Sequence, residues 1–199
     1  MSTRGLYGFR KSGIDKTTYN HSDSYPEWLG EQISKFCAAV TPEQMSAFFD
    51  RIIMVDEDAS PTKEQQDYCI AAGWYNPYVG KKSPAHWYNL LRELQGNMAE
   101  LDKAVRSDAD FYMIDSSSFI LDSLFCEYAY IINLDSGMLE FWEGWQKKPD
   151  PSNRYGQEPQ KNEVIPDYYP CRLALEIPLT DTAALAAAVP AMLAACEED

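Results

Sequence analysis

The chain opens with two short runs of β-forming residues that flank a turn signal. Residues 4–11 (RGLYGFRK) are rich in aromatic side chains, residues 12–15 (SGID) favour a turn, and residues 16–20 (KTTYN) form the second run. Two runs of this kind on either side of a turn predict a β-hairpin. We therefore expect the chain to begin with a pair of antiparallel strands.

The middle of the chain has the periodicity of helices. Apolar residues recur there at steps of three and four, which gathers them on one helical face. Three pairs of a hydroxyl residue and a proline, at 41–42, 60–61 and 83–84, mark helix starts. At the first of these pairs, Gln44 stands where a capping box with Thr41 requires it. The pattern predicts a layer of helices.

The last third of the chain returns to the pattern of strands. Residues 111–115 are a short strand candidate, and residues 125–133 and 138–145 form a second hairpin around an Asp-Ser-Gly turn. Alternating apolar positions predict a further strand at 169–177, followed by a final helix. The polar, proline-rich residues 147–163 predict a surface loop.

Strands, a run of helices, strands again and one helix thus follow each other along the chain. Segregated runs of this kind predict the α+β class. We expect a single domain over residues 1–199, with a mainly antiparallel sheet from the N- and C-terminal hairpins packed against a helical layer at about residues 27–106. The sequence contains neither a Gly-x-Gly-x-x-Gly run nor a Walker-type loop, so a doubly wound nucleotide-binding fold is not expected.

The net charge narrows the classes of partner. A formal charge of −14 opposes ordinary nucleic-acid binding and docking on an anionic membrane. The same charge suits solubility, a basic protein partner, or an acidic decoy of a nucleic-acid-binding protein. No apolar run approaches the ~20 residues of a membrane helix, and the first residues lack the apolar run of a signal peptide. We therefore expect a soluble, cytoplasmic protein.

The cysteines predict no special chemistry. The five cysteines are widely spaced and include no Cys-x-x-Cys pair, so neither a zinc site nor a dithiol redox motif is predicted. Each lies among apolar neighbours, which predicts buried, reduced thiols. No motif for a metal or another cofactor is present, and none is expected.

The turn after the first hairpin carries the densest set of functional side chains. Asn20, His21 and Asp23 stand close together and are flanked by Tyr19 and Tyr25. Such a turn can hold an imidazole beside a carboxylate, the arrangement of a general base. The same residues also suit a turn and a helix cap, in which Asp23 serves the backbone. Both interpretations stay open, and the two tyrosines are candidates for ligand binding.

The start of the chain offers a nucleophile. Ser2 becomes the first residue once the initiator methionine is removed, and its hydroxyl and free amine can act together as nucleophile and base. This opening strand, followed by an Asn/Asp-bearing turn, resembles the layout of the N-terminal-nucleophile hydrolases, including the bile-salt and penicillin acylases. The resemblance implies an amide hydrolase in which Arg4, Asn20, His21 and Asp23 support Ser2, although that acylase group has Cys at the position of Ser2.

A second resemblance covers the same region. The residues that carry it are Ser2, Thr3 and Arg4 and, after the hairpin, Tyr19, His21, Asp23, Tyr25, Pro26 and Gly30. With them the chain resembles a set of uncharacterised bacterial and phage proteins that open with Gly/Ser-Thr-Arg and carry an aromatic-His/Gln-x-Asp-x-Tyr turn. No activity is established for that set, so the resemblance implies no catalytic role.

Aromatic residues supply further candidates for ligand binding. Trp74 and Tyr78 lie in a loop with Lys81 and Lys82, where they can stack on a base or sugar or else cover the core. The second hairpin has aromatic residues on both faces, and an exposed set would mark an interface. We therefore expect a non-enzymatic protein that binds a protein or a small ligand. The Ser2 hydrolase and the acidic decoy are the alternatives.

Overall fold

The computed structural model describes residues 3–158 and 168–196 of the chain. Within these residues the backbone forms seven strands and seven α-helices, with short π-helical and 3₁₀ turns between them. The strands are β1 (Gly5–Lys11), β2 (Ile14–Asn20), β3 (Ile52–Val55), β4 (Phe111–Ile114), β5 (Tyr128–Asn133), β6 (Met138–Glu143) and β7 (Arg172–Pro178). The helices are α1 (Glu31–Ala39), α2 (Pro42–Arg51), α3 (Lys63–Ala71), α4 (Trp87–Leu91), α5 (Met98–Val105), α6 (Thr182–Ala186) and α7 (Ala188–Cys196).

Five of these strands form one mostly antiparallel sheet in the order β2-β1-β5-β6-β7. β1 pairs antiparallel with β2 and parallel with β5, so Gly5 lies between Asn20 and Tyr128. An added Cβ at Gly5 would lie 2.4 Å from the Tyr128 carbonyl oxygen, which explains the glycine at this position. The predicted α+β class, with a sheet from N- and C-terminal strands, is confirmed.

β3 and β4 form a separate two-stranded parallel sheet. The prediction of helices throughout the middle of the chain is wrong at β3. α2 ends at Arg51, whose guanidinium donates to the carbonyl oxygens of Ala104 at 3.1 Å and Ala109 at 2.7 Å. The β-branched residues that follow Arg51 suit a strand, and their apolar character fits a helix face equally well.

Capping signals locate α2 correctly and α3 less well. The Thr41 Oγ1 accepts from the Gln44 N–H at 3.3 Å, and the Gln44 Oε1 accepts from the Thr41 N–H at 3.0 Å, which is the expected capping box. α3 begins at Lys63 with Thr62 as its cap, two residues after the Ser60-Pro61 pair. Ser60 and Pro61 lie in the extended connection between the turn at residues 57–58 and α3.

Residues of β1, β5, β6 and β7 enter two hydrophobic clusters, one on each face of the main sheet, whereas the edge strand β2 contributes to neither. The larger cluster includes Phe9, Tyr130 and Phe141 and lies under the α-helices. In the second hairpin, only Trp145 is an exposed aromatic residue, at 47%. The smaller cluster lies on the opposite face and consists of Leu6, Ile120, Cys126, Ala129, Ile131, Trp142 and Cys171.

The turns of the two hairpins are joined by Asp135. Its carboxylate accepts hydrogen bonds from the backbone N–H groups of Ser12 at 2.6 Å and Gly13 at 2.9 Å. These bonds, from Gly13 and then from Ser12, lower the pKa of Asp135. The stabilisation of the folded state by the Asp135 carboxylate is therefore complete above the pKa of about 3.9 that aspartate has in the unfolded chain. It is lost as the pH falls through the lower pKa that Asp135 has in the folded protein.

Asp135→Asn is expected to lower the free energy of unfolding near pH 7 by about 0.2–1 kcal/mol, because solvent screens this exposed carboxylate. Urea unfolding of both proteins near pH 7 and near pH 3 checks this prediction. The difference between them should shrink at the lower pH. A difference of equal size at both values would contradict a role for the charge.

Candidate functional site

The first hairpin ends in a turn that is fixed from inside by polar groups. Asn20, the last residue of β2, is buried, and its Nδ2 donates to the Ser22 carbonyl oxygen at 2.6 Å and to the Ser24 Oγ at 2.8 Å. The Tyr130 hydroxyl of β5 donates to the Ser24 carbonyl oxygen at 2.9 Å. Two strands therefore hold the turn against the sheet.

Two backbone irregularities lie in this region. Asp23 has a φ of +56°, in the left-handed region that aspartate tolerates better than most residues. Residues Pro26–Gly30 form a π-helical turn that runs directly into α1. Such turns occur frequently at functional sites. Both irregular points present a side chain to the outside: Asp23 is exposed, and the Trp28 indole is 55% exposed.

A small cleft of about 110 Å³ opens between this region and the segment after α4. We call it the hairpin-end cleft. The segment on its second side begins with the 3₁₀ turn Arg92–Leu94. The lining residues are Asn20, Ser22, Asp23, Trp28 and Leu29 on the first side and Arg92, Gln95 and Gly96 on the second.

β1 holds the second wall of the cleft in place. The Tyr7 hydroxyl donates to the Leu94 carbonyl oxygen at 2.9 Å and accepts from the Gly96 N–H at 3.3 Å. Burial raises the pKa of Tyr7, so the hydroxyl keeps its proton. Gly96 has a φ of +68°, and an added Cβ would lie 2.7 Å from the Asn20 Oδ1. The two walls thus meet at a point where glycine is required.

Two polar groups of the cleft have no partner among the described residues. None of the ion pairs in residues 3–158 and 168–196 includes Arg92. The Gln95 Oε1 is buried and accepts no hydrogen bond from that part of the chain. Burial raises the pKa of the neighbouring Tyr19, while the positive charges of Arg4 and Arg92 oppose that shift. Arg92 therefore brings a positive charge and N–H donors to the cleft that no described carboxylate pairs with.

Of the residues proposed for catalysis, the structure brings Asn20 and Asp23 to the cleft. His21 is exposed and does not line the cleft. Its ring packs edge-on against Tyr19 at a centroid distance of 6.2 Å. Ser2, the proposed nucleophile, lies outside the described residues. The Nδ2 of Asn20 is occupied by the turn itself, which is the structural role that the sequence also allowed.

Arg4 and Tyr25 lie at the edges of this region. The Arg4 guanidinium stands over the Phe125 ring at 4.6 Å, and the Arg4 backbone N–H donates to the Glu127 carboxylate at 3.0 Å. Tyr25 is half-buried, and its carbonyl oxygen accepts from the Trp28 N–H at 3.1 Å at the start of the π-helical turn. Neither side chain lines the cleft.

Trp74 and Tyr78, proposed as ligand-binding residues, have different surroundings. Trp74 is buried at 8% exposure and packs edge-on against Tyr68 at 5.7 Å and Phe111 at 5.3 Å. Tyr78 is 87% exposed. Trp74 therefore belongs to the aromatic core, while Tyr78 stands on the surface of the same loop.

Trp28, Arg92 and Gln95 are residues of the cleft that the sequence reasoning missed. The available signal was Trp28, a large apolar residue that falls outside the helical spacing of Leu29 and Ile33. Arg92 and Gln95 gave no local signal, because their position beside the hairpin depends on long-range packing.

The remaining chemistry of the described chain is limited. Residues 3–158 and 168–196 contain no group of three or more His, Cys, Asp or Glu side chains placed to hold a metal ion. No helix in this part combines the length and apolar content needed to span a bilayer. Comparison of the chain with protein-family models, curated proteins and solved structures returns no match.

Proposed function

We propose that this chain is a binding protein that recognises a small carboxylate-bearing ligand in the hairpin-end cleft. The observation that carries the proposal is Arg92, which lines the cleft and whose guanidinium has no ion-pair partner among the described residues. A guanidinium presents a planar fork of N–H donors that fits both oxygens of a carboxylate. The chain has 31 acidic and only 17 basic residues, so a guanidinium without an internal carboxylate is available to a ligand.

The other groups of the cleft define the rest of the ligand. The Asn20 Oδ1 and the exposed Asp23 carboxylate are acceptors, and they favour an N–H donor next to the ligand carboxylate. The exposed indole of Trp28 offers a flat apolar surface. A volume of about 110 Å³ suits a head group, whose remaining atoms extend over the indole. These features fit an acylated amino acid or the C-terminal residue of a peptide.

N-benzoylglycine combines these features and serves as the probe. We expect it to produce a saturable shift of the Trp28 indole N–H signal in NMR spectra, with the signal assigned through Trp28→Phe. Arg92→Ala is expected to weaken binding about 10- to 100-fold, because it removes a charge-assisted hydrogen bond.

Two controls separate recognition of the carboxylate by Arg92 from the loss of any surface guanidinium and from binding of the uncharged part of the ligand. Arg106→Ala removes an exposed guanidinium that already binds Asp102, and it should leave the affinity unchanged. The amide N-benzoylglycinamide lacks the charge and should bind more weakly than the acid. Equal affinities of wild type and Arg92→Ala would contradict the proposal. So would the absence of a saturable Trp28 shift with acetate, benzoate and N-benzoylglycine up to about 10 mM.

A further inference from the structure

Two cysteines meet in the smaller hydrophobic cluster, away from the hairpin-end cleft. Cys126 lies just before β5 and Cys171 just before β7, and both side chains are fully buried. The Cys171 thiol donates to the Cys126 carbonyl oxygen at 3.3 Å, and the Cys126 thiol donates to the Tyr128 carbonyl oxygen at 3.8 Å. The cluster contains neither Cys37 nor Cys69, which belong to the larger cluster.

The backbone around both thiols is fixed. The Cys171 N–H donates to the Ile120 carbonyl oxygen at 3.0 Å. The Gly144 N–H, at the end of β6, donates to the Glu127 carbonyl oxygen at 2.9 Å. An added Cβ at Gly144 would lie 2.3 Å from the Cys126 carbonyl oxygen, so this glycine allows the end of β6 to lie against Cys126. The approach of the Cys171 thiol to Cys126 is therefore fixed by the backbone at the end of the sheet.

We propose that Cys126 and Cys171 are a redox pair, which a hydroperoxide converts into an intramolecular disulfide. One thiol of the pair loses its proton and attacks the peroxide, the O–O bond breaks, and a sulfenic acid forms on that sulfur while the leaving hydroxide takes up the proton as water. The second thiol, likewise after losing its proton, attacks the oxidised sulfur and displaces hydroxide, which takes up that proton as a second water. In total, two thiols lose two hydrogens and two electrons, and one hydrogen peroxide is reduced to two waters.

Residues after β6 hydrogen-bond to the chain on either side of the pair. The Trp145 N–H donates to the Ser123 carbonyl oxygen at 2.6 Å, and the Gln146 N–H donates to the Ser123 Oγ at 3.0 Å. The Asn153 Nδ2 donates to the Cys171 carbonyl oxygen at 2.8 Å. Because both thiols are fully buried, the surrounding structure must open before peroxide reaches them, and oxidation reports on that opening. The disulfide would then restrain the chain between residues 126 and 171.

The test treats the purified full-length chain with hydrogen peroxide, with and without a sub-denaturing concentration of urea. The protein is then unfolded and alkylated with iodoacetamide. We expect the number of alkylated thiols to fall by two from the five of the reduced chain, and the tryptic peptides of Cys126 and Cys171 to be linked. The melting temperature should rise by about 5–15 °C and return after treatment with dithiothreitol.

Three variants make this result specific. Cys126→Ala and Cys171→Ala should each abolish the link and the rise in melting temperature, whereas Cys69→Ala should retain both. Peptide mapping of the wild type identifies the linked pair even where a variant folds poorly. Five alkylated thiols after peroxide treatment in both buffers, a link between another pair, or a lower melting temperature after oxidation would each overturn the proposal.

Discussion

Arg154→Met is expected to lower the free energy of unfolding by about 3–5 kcal/mol, because it leaves the buried carboxylate of Glu140 without its counter-charge. Glu140 on β6 is 1% exposed. Its two oxygens accept from the Arg154 guanidinium at 2.6 Å each. The Asn133 Nδ2 at 2.6 Å and the Trp142 Nε1 at 3.0 Å complete its hydrogen bonds. In the variant, a water molecule in place of the guanidinium would not neutralise the buried charge of Glu140.

Arg154 also anchors the segment in which it lies. Its guanidinium stands over the rings of Trp142 at 4.7 Å and Tyr155 at 4.8 Å. The Tyr155 hydroxyl donates to the Asp15 carboxylate at 2.9 Å, which connects the segment to β2. We therefore expect Arg154→Met to speed amide hydrogen exchange in residues 150–158 as well as to destabilise the fold.

Denaturant unfolding with two comparison variants distinguishes the causes. Arg106→Met removes an exposed pair with Asp102 and should cost about 0.3–0.5 kcal/mol. The double variant Glu140→Leu/Arg154→Met removes both charges and should recover only part of the loss, because no unpaired charge stays buried but the Asn133 and Trp142 donors lose their acceptor. If Arg154→Met cost no more than Arg106→Met, the structural importance of the buried pair would be disproved.

Trp74→Ala is expected to cost about 3–5 kcal/mol, the range for truncation of a large aromatic residue in a core. The indole lies between Tyr68 and Phe111, and Phe111 in turn contacts Phe48 at a centroid distance of 5.6 Å. The substitution therefore removes packing between the loop after α3 and the strand β4.

Tyr78→Ala in the same loop is the matched control. Its side chain is 87% exposed, so the free energy of unfolding should change by no more than about 0.5 kcal/mol. Urea unfolding followed by circular dichroism measures both variants. Similar values for the two would show that Trp74 is not a core residue and would return it to the candidates for ligand binding.

Local patterns in the sequence predict the elements that depend on neighbouring residues. The capping residues Thr41 and Gln44 mark the start of α2 because both partners lie within one helical turn. The first hairpin is predicted for the same reason. The parallel pairing of β1 with β5 is not predicted. It joins Gly5 to Tyr128, and the pattern of neighbouring residues carries no information about a partner so distant in the sequence. β3 is missed because a short run of Ile, Met and Val is compatible with the apolar face of a helix as well as with a buried strand.

The candidate site shows the same limit. The sequence marks the turn that contains Asn20 and Asp23, and both residues line the cleft. The groups that give the cleft its chemistry come from Trp28 and Arg92, and packing between distant segments places Arg92 there. Glu140 is a further example, since its position on a strand does not reveal that an arginine from the polar loop enters to neutralise it.

The place of β1 in the sheet has a consequence for biosynthesis. β1 lies between β2, which follows it at once, and β5, which begins at Tyr128. The first two strands therefore leave the ribosome before β5 is made, and a two-stranded hairpin is a unit of marginal stability. The second edge of β1 has no partner until residues 128–133 have been synthesised, and an open strand edge invites association with other chains. A chaperone that shields β1 during this interval would protect the strand around which the finished sheet assembles.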